Sequence, residues 1–357
     1  TAAVAGVGIV AAAARKSITL LKNEGSLLPL HLPELRDTHR VGEPIPDTHG
    51  MPIVDTHGMR IVDTHETSAV DSLRIGTIAV IGPNADRRLL GGYSGQPKLF
   101  CTVLEGIRKR AGSVKVLFHE GCGITVGGSW NQDEVVASDP AEDRKNIAEA
   151  VEVARQADVV VLALGGNEQT SREAWALNHM GDRTSLDMVG RQDELVDAVA
   201  ATGKPIIALL FNGRPLSIRN LAEKAHAILE CWYLGQETGY AVAEALLGDL
   251  NPGGKLPITI PRSVGHVPAY YNHKPAARRG YLFDDIDPLY AFGFGLNYTS
   301  FAFGKPRLDR RTIRKNESTT VRVDVTNTGR VTGDEVVQMY IRDKVSSVTR
   351  PVKELKG

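Results

Sequence analysis

Cysteine is scarce in this chain. Cys101, Cys122 and Cys231 are the only three in 357 residues, too few to build a disulfide framework. A charge excess is missing too: 42 Lys+Arg face 42 Asp+Glu, so no overall field draws the chain to nucleic acid or to an anionic surface. Apolar runs are short. None approaches the ~20 residues of a membrane helix, and neither nucleic acid nor membrane is an expected partner. The first fourteen residues carry no charge, no initiator Met and no basic region, which excludes a signal-peptide reading of that stretch. It reads as an Ala-rich helix continuing from something upstream. Nucleotide fingerprints are lacking as well. The strand-like stretch 77–81 runs into Gly82-Pro83-Asn84, with no G-x-G-x-x-G at the next helix and no P-loop lysine. No cofactor is expected.

What is present is a regular alternation of strand and helix. The length suffices for two domains, and a hydrophobic content of 42% is that of an ordinary globular protein. Short apolar strands are read at 77–81, 114–118, 159–164, 205–211 and 227–232. Helices are read at 103–111, 139–157, 192–201 and 238–247, the last stopped by Gly248-Asp249. The helix at 139–157 shows an apolar face of Ile147, Ala150, Val151 and Ala154 at helical spacing. Such alternation predicts an α/β fold, a mostly parallel sheet flanked by helices. At the start, the helical pattern is read as running on to Asn23-Glu24-Gly25.

Two regions depart from this regime. Between residues 37 and 66 Asp-Thr-His occurs four times, starting at Asp37, Asp47, Asp55 and Asp63. Its His and Asp residues are potential metal ligands, but a metal needs converging ligands and a supporting shell. The expected reading is a duplicated surface loop, since loop length costs little, and no metal is assigned. Toward the end, residues 319–325 and 335–341 alternate with period two around the turn Asn327-Thr328-Gly329. That predicts two strands of a β-sandwich, with too few strands in the chain to close it.

Chemistry concentrates after residue 164, where an apolar strand ends at Gly165-Gly166. The loop that follows holds Glu168, Arg172, Glu173, Trp175, His179, Asp182 and Arg183. Open α/β sheets bind ligands at the carboxyl ends of their strands, so a Trp-bearing loop rich in carboxylates there is a candidate site. Trp175 is either a packing residue or a stacking wall for a ligand. Asp182-Arg183 is expected to pair locally and shape the loop, with a ligand contact as the alternative. Tyr93, in Gly91-Gly92-Tyr93-Ser94-Gly95, lies on a glycine-rich loop that is either a plain turn or an approach to the same site.

The segments AARKSITLLKNEGSLLPL, IAVIGPNADRRLLGGYSG, GKPIIALLFNGRPLSI, LLGDLNPGGKLPITIPRSVGHVP, PLYAFGFGLNYTSF and VTNTGRVTGDEVVQMYIRD resemble, in this order, the second and third domains of glycoside hydrolase family 3. The resemblance implies an α/β-sandwich domain over residues 1–304, interrupted by the insert, and a truncated fibronectin-III-like domain over 305–357. It implies a retaining, exo-acting β-glycosidase, foremost a β-glucosidase. The expected partners are a β-linked oligosaccharide or aryl glycoside and the family's N-terminal (β/α)8 barrel, which holds the aspartate nucleophile and is not in this chain. A homodimer and a periplasmic or secreted setting are further expectations. A non-catalytic carbohydrate-binding or assembly module on the same fold is the alternative.

Retaining glycosidases use two carboxyls about 5–5.5 Å apart, one a nucleophile and the other an acid/base kept protonated by its surroundings. In the family the acid/base often comes from a loop of the second domain. Ser171-Arg172-Glu173-Ala174 is similar to that loop, so Glu173 is the expected acid/base and Glu168 its rival. Trp175, Asp182, Arg183 and Tyr93 are the expected substrate contacts.

Overall fold

The structure, a computed structural model, describes residues 2–33, 74–127, 129–277 and 280–357. The Asp-Thr-His insert lies outside the described residues. The chain opens with α1 (Ala2–Ser17) and β1 (Thr19–Asn23), then runs through β2 (Thr77–Ile81), α2 (Val103–Arg110), β3 (Lys115–His119), α3 (Pro140–Arg155), β4 (Val159–Gly165) and α4 (Glu168–Ser171). It continues with α5 (Gln192–Ala200), β5 (Ile206–Phe211), α6 (Arg219–Lys224), β6 (Ala227–Glu230) and α7 (Thr238–Leu247). Local chemistry sets several of these boundaries. Thr102 and Glu105 form a reciprocal capping box at the start of α2. Asp139 caps α3 by accepting from the Ala141 amide, with Pro140 in the first turn.

Six strands form one sheet in the order β1-β6-β5-β4-β2-β3. Strands β2 to β6 are parallel, and β1 closes one edge antiparallel to β6. Every residue of β4 and β5 is buried, as expected of central strands covered on both faces. Alternate side chains feed two cores. Val161, Ala163, Leu209 and Phe211 meet residues of α1, α2 and α7 on one face. Val160, Leu162, Ala208 and Leu210 meet α3, α5 and α6 on the other. The α/β sandwich expected from the alternation is therefore present.

The reading of one helix up to Asn23 is corrected. The helix stops at Ser17, and the next stretch is the edge strand β1. Short apolar runs do not separate helix from strand by periodicity alone. Here Thr19 and Leu20 are buried against β6, in register with Glu230 and Leu229, and tertiary pairing decides.

The C-terminal part behaves differently. Its strands are β7 (Phe301–Phe303), β8 (Arg307–Leu308), β9 (Val321–Arg322), β10 (Val325–Asn327), β11 (Tyr340–Ile341) and β12 (Glu354–Leu355). They pair antiparallel as β7 with β10, β8 with β9 and β11 with β12. The alternating stretches at 319–325 and 335–341 thus hold strands, but strands of two or three residues. Among the described residues none from Phe301 onward is buried. Among the described residues no opposing sheet covers their apolar faces. β7 pairs across the expected boundary at residue 305, and a half-buried Lys255–Glu335 ion pair at 3.1 Å joins this part to the α/β unit.

Candidate active site

From β2 the chain steps outward to β3, then recrosses to β4 and proceeds to β5 and β6 on the other side. The order of strands therefore reverses between β2 and β4, and such a switch point opens a crevice at the carboxyl edge. The loops after β2, β3 and β4 carry Tyr93, Trp130 and Glu173. Gly165, the last residue of β4, has φ +125°, and a Cβ there would lie 2.2 Å from the Phe211 carbonyl oxygen. Glycine is required for β4 to leave the sheet this close to β5. The Gln192 side chain fixes this strand end, accepting from the Gly165 amide and donating to its carbonyl, each at 2.8 Å.

Glu168 does not sit in an open loop. Asn167 caps α4 through a reciprocal pair with Thr170, so residues 168–171 close one helical turn. Glu168 is half-buried, and its Oε1 accepts from the Leu90 amide at 3.2 Å. It thereby fastens the glycine-rich loop of Tyr93 to the end of β4. The Ser171 hydroxyl shares a 2.7 Å hydrogen bond with the Tyr233 hydroxyl, whose pKa burial pushes up to about 12.

Beyond α4 the chain turns extended at Arg172 and presents Glu173, which is exposed. No hydrogen bond or ion pair holds its carboxylate among the described residues. The loop around it is tightly made. Ala176 and His179 form a short antiparallel bridge, and Asp182 accepts from the Ala174 amide at 3.2 Å. The ion pair expected between Asp182 and Arg183 is absent. Arg183 instead donates to the Asp187 carbonyl. Its pKa is lowered, first by burial and then by the nearby Arg214 charge. Both residues shape the loop, but through backbone groups rather than through each other.

Four rings stand beside this loop. Tyr93 lies 5.4 Å from Trp130, Trp130 lies 5.6 Å from His179, and His179 lies 4.9 Å from Trp175, centroid to centroid. Tyr93 is 90% exposed and Trp175 71%. The ends of the row offer open aromatic surface, whereas His179 is buried within it and held by Asp133 at 3.1 Å. The structure thus brings Tyr93 and Trp175 into one ring row.

Sequence reasoning passed over Trp130, Asp133, Arg214 and Glu230. Trp130, a lone aromatic in the polar stretch Ser129-Trp130-Asn131-Gln132-Asp133, and Glu230, a lone charge in an apolar strand, were the available signals. Glu230 is fully enclosed at the end of β6. Burial pushes its pKa up to about 8, against the opposing pull of the Trp232 amide and the Asn212 side chain. Among the described residues no group of three or more His, Cys, Asp or Glu could hold a metal ion, and no helix is long and apolar enough to cross a membrane.

An exposed carboxyl and two open aromatic rings thus lie on the loops at the switch point of a doubly wound sheet. The profile of the glycosyl hydrolase family 3 C-terminal domain matches residues 72–298, and that of a fibronectin type III-like domain matches residues 335–357. A β-xylosidase of Formosa agariphila is 41% identical over 96% of the chain and 41% of its own length. A periplasmic β-glucosidase of Salmonella typhimurium is 42% identical over 79% of the chain and 39% of its own. Among solved structures, a β-glucosidase from Erythrobacter marinus superposes with a TM-score of 0.81 at 42% identity, covering 96% of the chain and 42% of the other. The chain belongs to glycoside hydrolase family 3, and it spans about two fifths of the length of these relatives.

Proposed function

We propose that this chain supplies the acid/base half of a retaining, exo-acting β-glycosidase that releases terminal β-linked glucose, with Glu173 as the acid/base. The supporting observation is its exposed, unpartnered carboxyl on a tightly held loop at the switch point. A general acid must reach the glycosidic oxygen before anything else matters. Glu168, tied to the Leu90 amide, has less freedom to do so.

In this reading the nucleophile comes from a (β/α)8 barrel of the longer protein, and the barrel also encloses Glu173. Protonated Glu173 gives its proton to the leaving oxygen as the nucleophile attacks the anomeric carbon. The carboxylate left behind then takes a proton from the water that hydrolyses the glycosyl-enzyme, returning both groups to their starting states. Trp175 and Tyr93 offer faces for the sugar unit that leaves. Asp182 and Arg183 keep the loop in shape.

The test is Glu173→Ala in the full-length protein. Hydrolysis of poorly activated β-glucosides should fall ~10²–10⁴-fold, while aryl glucosides with good leaving groups retain most of their glycosylation rate. Parent-like hydrolysis of both substrate types would remove Glu173 from the role. It would also favour a carbohydrate-binding module, the reading that the exposed ring row otherwise serves.

A further inference from the structure

Glu173 is exposed, yet the peptide that carries it is held from several sides. The preceding residue, Arg172, is 3% exposed. A buried guanidinium ordinarily seeks a carboxylate, but no carboxylate pairs with this one among the described residues. Its nitrogens donate to backbone carbonyls instead: Nε to Met180 at 2.7 Å, Nη1 to Trp130 at 2.7 Å and also to Gln132, and Nη2 to Asp133 at 2.7 Å. Three of these acceptors lie on the loop after β3, and the fourth lies at the far end of the Glu173 loop. The fork shape of a guanidinium suits this task, since it binds several acceptors from one rigid plane.

The same peptide is held from other sides. Arg214, beyond β5, donates to the Arg172 carbonyl. A Cβ on Gly181 would come within 2.6 Å of the Glu173 carbonyl carbon, so the returning arm of the loop packs directly on the Glu173 backbone. Asp133 adds two side-chain ties across the same gap, to Asn178 at 3.1 Å and to His179 at 3.1 Å.

We propose that Arg172 is a positioning residue for the acid/base: it fixes where the Glu173 backbone stands, through carbonyls of the loop after β3, and touches no substrate itself. The inference rests on the reading of Glu173 as the acid/base. It implies that the acid is preset on a rigid mount before the sugar binds. It also separates two roles in adjacent residues, one buried with every guanidinium nitrogen hydrogen-bonded, the other open and free to reach.

The test uses the full-length protein with Arg172→Met and Arg172→Lys, alone and each combined with Glu173→Ala. Misplacing a catalytic group by about 1 Å costs on the order of 10²-fold. Arg172→Met should therefore lower kcat/KM for poorly activated glucosides about 30- to 100-fold while leaving good aryl leaving groups within about threefold. Arg172→Lys, which keeps the charge but loses the fork, should show the same split and covers the case in which the methionine variant does not fold. Combined with Glu173→Ala, either change should add nothing further on poorly activated substrates. An equal loss on both substrate types, or losses that multiply in the double variants, would overturn the positioning role. If Glu173→Ala itself shows the leaving-group split and the Arg172 variants do not, Arg172 alone is misassigned. If Glu173→Ala shows no split, both assignments fall.

Discussion

The end of β6 and the loop beyond β4 each place a glutamate at the carboxyl edge of the same sheet, in opposite surroundings. Glu230 is 2% exposed, with one oxygen accepting from the Trp232 amide at 3.1 Å and the other facing the Asn212 amide at 3.5 Å. Burial pushes its pKa up to about 8. Glu173 is exposed and its carboxylate is unpartnered among the described residues. Judged by titration, Glu230 would be the candidate, since strongly shifted carboxyls gather at active sites. Judged by reach, it is excluded, because a general acid must come within about 3 Å of the oxygen it protonates. The comparison teaches that desolvation alone does not make an acid catalyst. Glu230 has the desolvation without the access. Glu173 has the access, and in the proposed mechanism gains its enclosure from the barrel.

The largest expected effect breaks this comparison directly. In the full-length protein Glu173→Gln should lower turnover of poorly activated β-glucosides ~10²–10⁴-fold, and Glu230→Gln should stay within about threefold of the parent. Steady-state kinetics on the two variants check this, and a reversed order would make Glu230 the acid.

Next comes stability. Unfolded, Glu230 titrates near the ordinary value of 4.5, and folded near 8. Between those values the folded state holds a proton that the unfolded state has released. Stability attributable to this group therefore falls as pH rises from about 4.5 to 8 and levels off above that. The full effect is at most about 5 kcal/mol. Glu230→Gln should remove that slope, as read by urea unfolding across the window. Equal slopes in parent and variant would show that Glu230 is not a buried neutral acid.

The smallest effect concerns the open rings. Trp175→Ala should raise KM for a disaccharide about three- to tenfold, the range of a single aromatic contact, with little change in Tm. An unchanged KM would return Trp175 to packing.

Much of this architecture was legible in the sequence. Strands β2, β4, β5 and β6 are short apolar runs, mostly bounded by turn residues, and their alternation with helical patterns made a strand the expected reading of stretches such as 159–164. β1 was misread because its identity lies in pairing with β6, some two hundred residues away. The C-terminal alternation was visible, but its strands run only two or three residues, and among the described residues none of them is buried. In the site, Glu173 and Trp175 stood out because carboxylates and a tryptophan after a buried strand are unusual. The mount beneath them did not. Arg172 is held by carbonyls, which leave no side-chain signature, and Trp130 and Asp133 reach the loop only because β3 and β4 flank β2 in the sheet.

One measurement tests the central claim most directly: the anomeric configuration of the product that the full-length Glu173→Ala variant makes from an activated aryl β-glucoside in sodium azide. If Glu173 is the acid/base, its removal opens the face from which water normally attacks the glycosyl-enzyme. Azide enters there, and NMR should show β-glucosyl azide. An α-glucosyl azide would mean that Glu173 is the nucleophile, and the absence of any azide adduct would remove it from both roles.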